Sequence, residues 1–450
     1  ATFGALGITT NLFPAMTLGS GSAGGVAINA GVGILDVNRN VGVHITGGSM
    51  TANAIDVNTD ITGEANLEVY QGSAGVVSGN AAVGQVSTSS TISIDNARFT
   101  SNVMNVLAAD HGVTNVNVLG VTVGAVSVGA IVAGVKNTGN TEVEMQNSKI
   151  EDKDGGNNGT VSIKTDKANT VTAHAMGGAG GALAAQGVVA TASDEGESRI
   201  TLQAGNALAA KEIAIAAKAS PAVKAVADSA AVSVFGTAGG AGATATANGT
   251  VAVTVADGNE LNADTVDISA DAATQDGKNT AEAAVVGASG SGYYTLAENL
   301  AKADVAMNVT VDVGDAAYKT ETTKKLIGYK DVEGSEEGER TEVYAEDTKG
   351  VTNLTISSSN AAKASADAKG ITIGGIFSSG NNQALTSNTS QTKVSLRSGS
   401  ENTRLGSLTV TAAGAGDNTT KADGSGEQFA DEATVSENLT DEDGGSVTLY

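Results

Sequence analysis

The chain has no cysteine and no tryptophan, and only 2 Pro, 6 Phe and 7 Tyr in 450 residues. Without Cys there can be no disulfide, no thiolate metal site and no thiol nucleophile. So few aromatics would fill several ordinary globular cores poorly, because such cores draw much of their buried area from aromatic rings. Basic residues are scarce too, 25 against 49 acidic, which leaves a net charge of -24. That balance excludes the electropositive footprint of a nucleic-acid binder. No run of 18 or more apolar residues is free of polar interruption, so no membrane span is expected. The three histidines, His44, His111 and His174, occupy unrelated places in the sequence pattern. They point to neither a metal site nor a Ser–His–Asp set.

What the chain does have is glycine, 59 residues of it, and a hydrophobic share of 40 % rich in Val, Ile and Ala. That share is too high for a disordered acidic chain. A fold of many thin, similar layers suits these small residues better than three separate cores. The first residue is Ala, and no leader with a basic and an apolar region is recognisable. A processed chain, or a segment of a longer one, is therefore expected.

Two short motifs recur. The first reads Ile55-Asp-Val-Asn-Thr, Val161-Ser-Ile-Lys-Thr, Ile213-Ala-Ile-Ala-Ala, Val266-Asp-Ile-Ser-Ala, Leu354-Thr-Ile-Ser-Ser and Leu408-Thr-Val-Thr-Ala, with a weaker copy at Val106. The second reads Val43-His-Ile45, Ile92-Ser-Ile94, Val143-Glu-Met145, Ile200-Thr-Leu202, Val253-Thr-Val255 and Val394-Ser-Leu396, each followed by one more apolar residue. Small-residue blocks such as Gly177–Gly181 and Gly236–Gly240 lie between them. The alternation of apolar and polar residues has period two, which is a strand pattern. The Ala-rich run 209–227 follows the same alternation and is read as strand. The repeat is about 53 residues long, and the fold class is all-β, a parallel β-helix (β-solenoid). Two or three coils of 18 to 27 residues per repeat are expected, hence a rod of about 80 to 120 Å. Gly and Asn suit its corners because they tolerate positive φ.

One step is longer, from Val266 to Leu354, and the extra length lies in 315–350. This charged insert holds Tyr318, Tyr329 and Tyr344, candidate partner contacts because Tyr is enriched at interfaces. The chain then divides into 1–54, a partial repeat; 55–314, solenoid; 315–350, the inserted arm; 351–416, solenoid; and 417–450, an acidic end. The two ends look like complementary halves of one repeat. Phe3, Leu6, Ile8, Leu12 and Phe13 at one end, with Leu449 and Tyr450 at the other, are candidates for end-to-end assembly.

No catalytic, cofactor or metal residue stands out. Gly19-x-Gly21-x-x-Gly24 lacks the strand–helix context of a dinucleotide site. The acidic clusters at Asp152, Asp154 and Asn157 and at Asp441, Glu442 and Asp443 do not follow a calcium-loop pattern and read as solvated turns.

Several blocks carry a resemblance: Ala281-Glu-Ala-Ala-Val-Val-Gly-Ala-Ser-Gly, Ser229-Ala-Ala-Val-Ser-Val-Phe-Gly, Leu408-Thr-Val-Thr-Ala, and the run from Val251 to Ala263. They resemble repeats of large secreted bacterial adhesins of the leukotoxin-like and filamentous-haemagglutinin-like type. The resemblance implies a β-helical rod, export to the cell surface, and a role in adhesion or fibre formation without catalysis. The expected function is thus a structural extracellular filament or adhesin stalk. Its partners would be other copies of itself or a host or neighbouring cell surface. Two alternatives are a carbohydrate-binding or carbohydrate-cleaving spike on the same fold, and a toxin-like cell-binding module acting through the insert.

Overall fold

The computed structural model describes the backbone of residues 5–11, 15–23, 28–154, 158–314, 317–318, 321–331, 340–349, 353–397, 407–414, 419–427, 431–441 and 444–449. It is 85 % strand, with no helix among the described residues. The strands form successive layers, each hydrogen-bonded in parallel to its neighbours. Layer one is Ala5–Asn11, Ala15–Ala23, Ile28–Thr46 and Ser49–Thr51; layer two is Ala54–Ala74, Val77–Asp95 and Arg98–Thr100. Layer three is Val103–Gln146 and Lys149–Glu151, and layer four is Thr160–Lys167, Thr170–Leu202 and Ala207–Ala209. Layer five is Glu212–Ala219, Ala222–Val255 and Glu260–Asn262, and layer six is Thr265–Ala272, Ala281–Ser291, Tyr294–Val313 and Ala317–Tyr318. Layer seven is Asn353–Asn360, Ala364–Gly374, Phe377–Asn388 and Gln391–Leu396. Layer eight is Ser407–Gly414, Thr419–Glu427, Asp431–Asp441 and Gly444–Leu449.

Layer three shows the plan. The chain runs out from Val103, bends near Gly124–Val126, and runs back towards Gln146. The two legs face each other closely: a Cβ added at Gly120 would lie 2.7 Å from Ile131 Cδ1 on the returning leg. The register gives the step between layers. Ala54 lies opposite Val103, a step of 49, and Val223 lies opposite Ala281, a step of 58. Neighbouring strands are therefore a whole repeat apart. The expected coils of 18 to 27 residues, and the 80 to 120 Å rod built from them, are corrected by this pairing.

The long step is resolved in the same way. Thr265 lies opposite Asn353, 88 residues on. The added length contains an antiparallel hairpin, Glu321–Asp331 against Arg340–Lys349, with an irregularity between Leu326 and Gly328. The hairpin forms its own two-stranded sheet, whereas Ala317–Tyr318, within the expected insert 315–350, pairs in parallel with Glu260–Leu261 and belongs to the stack.

The first motif lines one interior column. Ile55, Met104, Val161, Ile213, Val266 and Leu354 are in register and nearly all fully buried. The weak copy therefore starts at Met104, not Val106, which lies opposite Val57 and Ile163. A slip of two residues keeps every side chain on its own face, so alternation alone could not detect it. The second motif forms a second column, and layer six contributes Val311-Asp-Val313 to it, opposite Val253-Thr-Val255. A third column, Met50, Phe99, Ile150, Leu208 and Leu261, comes from the short strands. One corner behaves as expected: Gly48, Asn96, Asn147, Gly205 and Gly258 all have positive φ. There the buried Asn206 donates from Nδ2 to Asn259 Oδ1 at 3.0 Å and accepts the Ser148 amide at 3.0 Å, tying three layers together.

Beyond these columns the interior of layers two to four turns polar. Ser90 donates to Thr59 at 2.9 Å, and Ser198 to Thr165 at 2.9 Å. Asp110 is fully buried and accepts from Thr88 Oγ1 at 2.5 Å and Asn169 Nδ2 at 3.0 Å. Burial pushes its carboxyl pKa up, against those two hydrogen bonds and nearby Lys167. The same burial lowers Arg39, with Asp110 opposing.

On the outer face, His111 joins three layers. Its Nδ1 is 3.1 Å from Asp60 Oδ1, and its Nε2 is 3.5 Å from Asp166 Oδ2. The Asp166 carboxylate above all, then Asp60, raises its pKa to about 9, against partial desolvation. A raised histidine pKa means that its stabilisation is full below the unfolded value of 6.5 and is lost as pH rises to about 9. The side chain is 37 % exposed, so solvent screening holds the effect to roughly 1 kcal/mol or less. Denaturation midpoints across that window are expected to fall for the native chain relative to His111→Asn. Parallel curves would show that the carboxylates do not hold the ring.

Candidate functional site: an apolar face at the tip

Alternation normally sends apolar residues inward. Where the two legs meet, the phase is reversed. The inward residues are Thr122, Ser127, Ser233, Thr237, Ser289, Thr295 and Thr372, all buried. The converging legs leave little interior volume there, and small hydroxyl side chains fit it. They also satisfy backbone groups of the next layer. Ser127 Oγ donates to the Gly180 carbonyl at 3.0 Å, Thr237 Oγ1 to Gly290 at 2.8 Å, and Thr295 Oγ1 to Ile373 at 2.8 Å.

The outward positions carry the large side chains instead. Val121, Val123, Val126 and Val128 are exposed in layer three, and Leu183 in layer four. Val232, Val234 and Phe235 follow in layer five, Tyr293, Tyr294 and Leu296 in layer six, and Ile371, Ile373 and Ile376 in layer seven. They are between 40 and 64 % exposed. Parallel register aligns them: Val126, Leu183, Gly236, Tyr294 and Phe377 form one ladder across five layers. Gly236 leaves a gap in it. The result is a groove of about 250 Å³ whose lining, which includes Leu183, Ala185, Ala238, Tyr294 and Leu296, contains no charged residue. Beside it the rings of Phe235 and Tyr293 lie 5.8 Å apart. Apolar patches continuous over several layers mark contact surfaces. This one offers shape and hydrophobic area, and no acid–base pair.

The residues singled out from sequence fall elsewhere. Tyr318 lies in a short strand opposite Leu261, and Tyr329 and Tyr344 lie on opposite strands of the hairpin; their side chains are outside the described residues. Leu6 and Ile8 pair with Val57 and Thr59, and Leu449 pairs with Leu396, by backbone alone. Phe3, Leu12, Phe13 and Tyr450 lie outside the described residues, as do Asn157, Glu442 and Asp443. Asp152 accepts the amides of Asp154 at 3.2 Å and Asn158 at 2.6 Å, which is turn chemistry. His174 lies 2.9 Å from Asp228 on the outer face. Among the described residues no helix is long and apolar enough to cross a membrane, which leaves strand-built crossings unaddressed. No family model, curated protein or solved structure matches the chain.

Proposed function

We propose that the chain is a structural β-solenoid in which each repeat of about 53 residues is one closed, flattened coil. In this reading it is an extracellular element, a surface filament or adhesin stalk, and its partner at the tip is a second copy of itself. The observation that carries the reading is the register: parallel pairing continues from layer to layer, and it brings the buried apolar residues of successive layers into columns. Such a stack resists unfolding through many small, repeated contacts. The apolar tip favours side-by-side pairing. The adhesin-like repeat blocks agree with this role. The uncharged groove gives the carbohydrate-cleaving alternative no carboxylates to work with at this face.

Electron microscopy of the purified chain at rising concentration tests the reading. Paired and end-to-end assemblies are expected to grow with concentration. The double variant Tyr294→Ser, Leu296→Ser should lose the side-by-side pairs, while its stability stays within about 0.5 kcal/mol, as for most surface changes. Single, unassociated particles at every concentration would contradict the proposal.

A further inference from the structure

One group inside layers three and four has no counterpart higher in the stack. Lys167, Asp194 and Asn137 are 3 %, 2 % and 2 % exposed. Lys167 Nζ donates to Asp194 Oδ2 at 2.9 Å, and Asn137 Nδ2 donates to Asp194 Oδ1 at 2.5 Å. A single carboxylate therefore bridges a buried amine and a buried carboxamide. Asn137 and Asp194 are direct ladder partners in adjacent layers, while Lys167 belongs to the opposite leg. In layer five the corresponding residues are Ala219 and Ala247, and in layer six Ala272 and Val305. The coil closes without the trio, and a buried ion pair is a poor source of stability compared with such apolar packing. The trio therefore calls for a chemical explanation.

We propose that Lys167 and Asn137 form an intramolecular amide, with Asp194 as the proton carrier. Asp194 takes a proton from the Lys167 ammonium across the 2.9 Å hydrogen bond and leaves a neutral amine. The Nζ lone pair attacks Asn137 Cγ; the N–C bond forms and the carbonyl π pair moves onto Oδ1. Asp194 then delivers its proton to Nδ2 through the 2.5 Å contact. The carbonyl re-forms as the Cγ–Nδ2 bond breaks, and the remaining surplus proton on Nζ follows by way of Asp194. Lysine ammonium and asparagine carboxamide become one secondary amide and one ammonium ion. Asp194 ends as the carboxylate it began as, and no oxidant, reductant or cofactor is consumed. Burial shields the step from water, and the two hydrogen bonds to Asp194 tie both reacting side chains to one carboxylate. The neighbouring Asn169 is the competing carboxamide, but its Nδ2 is committed to Asp110 and its Oδ1 to the Gly112 amide. The product would staple layers three and four covalently, whatever the chain's role.

Peptide mapping of the folded, purified chain tests this. Trypsin cuts after Lys136, Lys149, Lys164 and Arg199, and an amide at Lys167 abolishes cutting there. The expected product joins peptide 137–149 to peptide 165–199 and is lighter than the two together by one ammonia. In Asp194→Ala the two peptides are expected to separate, with cleavage restored at Lys167. The wild-type map stands alone if that variant fails to fold. Full-mass peptides cleaved at Lys167 would overturn the proposal. So would loss of water within 165–199, which means a Lys167–Asp194 amide, or loss of ammonia within it, which means Asn169. A link that persists in folded Asp194→Ala would overturn the role given to the carboxylate.

Discussion

Phe99→Ala is expected to destabilise the chain by roughly 3–5 kcal/mol, the range for deleting a buried aromatic side chain. Phe99 is 1 % exposed and is the one buried aromatic among the described residues. It sits in the short-strand column between Met50 below and Ile150 above. Backbone ladders fix the positions of those neighbours, so the site can collapse only slightly and most of the lost volume remains as a cavity. Phe99→Leu should cost far less. Chemical denaturation measures the difference, and hydrogen exchange should show the loss concentrated in layers one to three, because a stack couples mainly nearest neighbours. A cost below about 1 kcal/mol for the alanine variant would mean that the column repacks freely.

Gly196→Ala is expected to be nearly as damaging. Gly196 has φ of +150° and lies between Gly139 and Gly249 in the ladder. An added Cβ would collide with the carbonyl oxygen of Gly139. The obstacle is backbone, which cannot rotate away, so the layers would have to part locally. Strained φ alone costs about 1–3 kcal/mol, and overpacking adds a similar amount. Gly187→Ala is the control. It is exposed, it lies in the same strand, and nothing lies within 4 Å of its added Cβ. Alanine there should raise stability by roughly 0.5 kcal/mol, the usual penalty of glycine in a strand. Equal denaturation midpoints for the two variants would contradict the close stacking at Gly139 and Gly196.

These two sites also show what the sequence could and could not reveal. The columns containing Phe99 and Ile200 were legible, because a period-two pattern repeated at a fixed step has few other meanings. The corner at Asn96 and Asn147 was legible because few other residues tolerate positive φ. The number of coils per repeat was not, because alternation carries no information about where a leg turns. The bends near Gly124 and Gly181 are made without a distinctive turn motif. The tip face was missed for a related reason. In Val121-Thr-Val123 and Val232-Ser-Val234 the apolar residues look like core and the hydroxyls like surface, yet Thr122 and Ser233 are the buried ones. Only the narrowing of the space between the legs decides the phase. The trio of Lys167, Asp194 and Asn137 was equally hidden, since 27 residues separate the lysine from its aspartate along the chain.

The dimensions of the isolated particle test most directly whether each repeat is a single coil. Eight layers spaced by about 4.8 Å give a stack roughly 34 Å high between its outer strands. A leg such as 103–123 spans about 65–70 Å at roughly 3.3 Å per residue. Cryo-electron microscopy of single chains should therefore find a thin fin, broader across its strands than it is tall. A narrow rod of about 80 to 120 Å, as short coils would build, would contradict the register and the account with it.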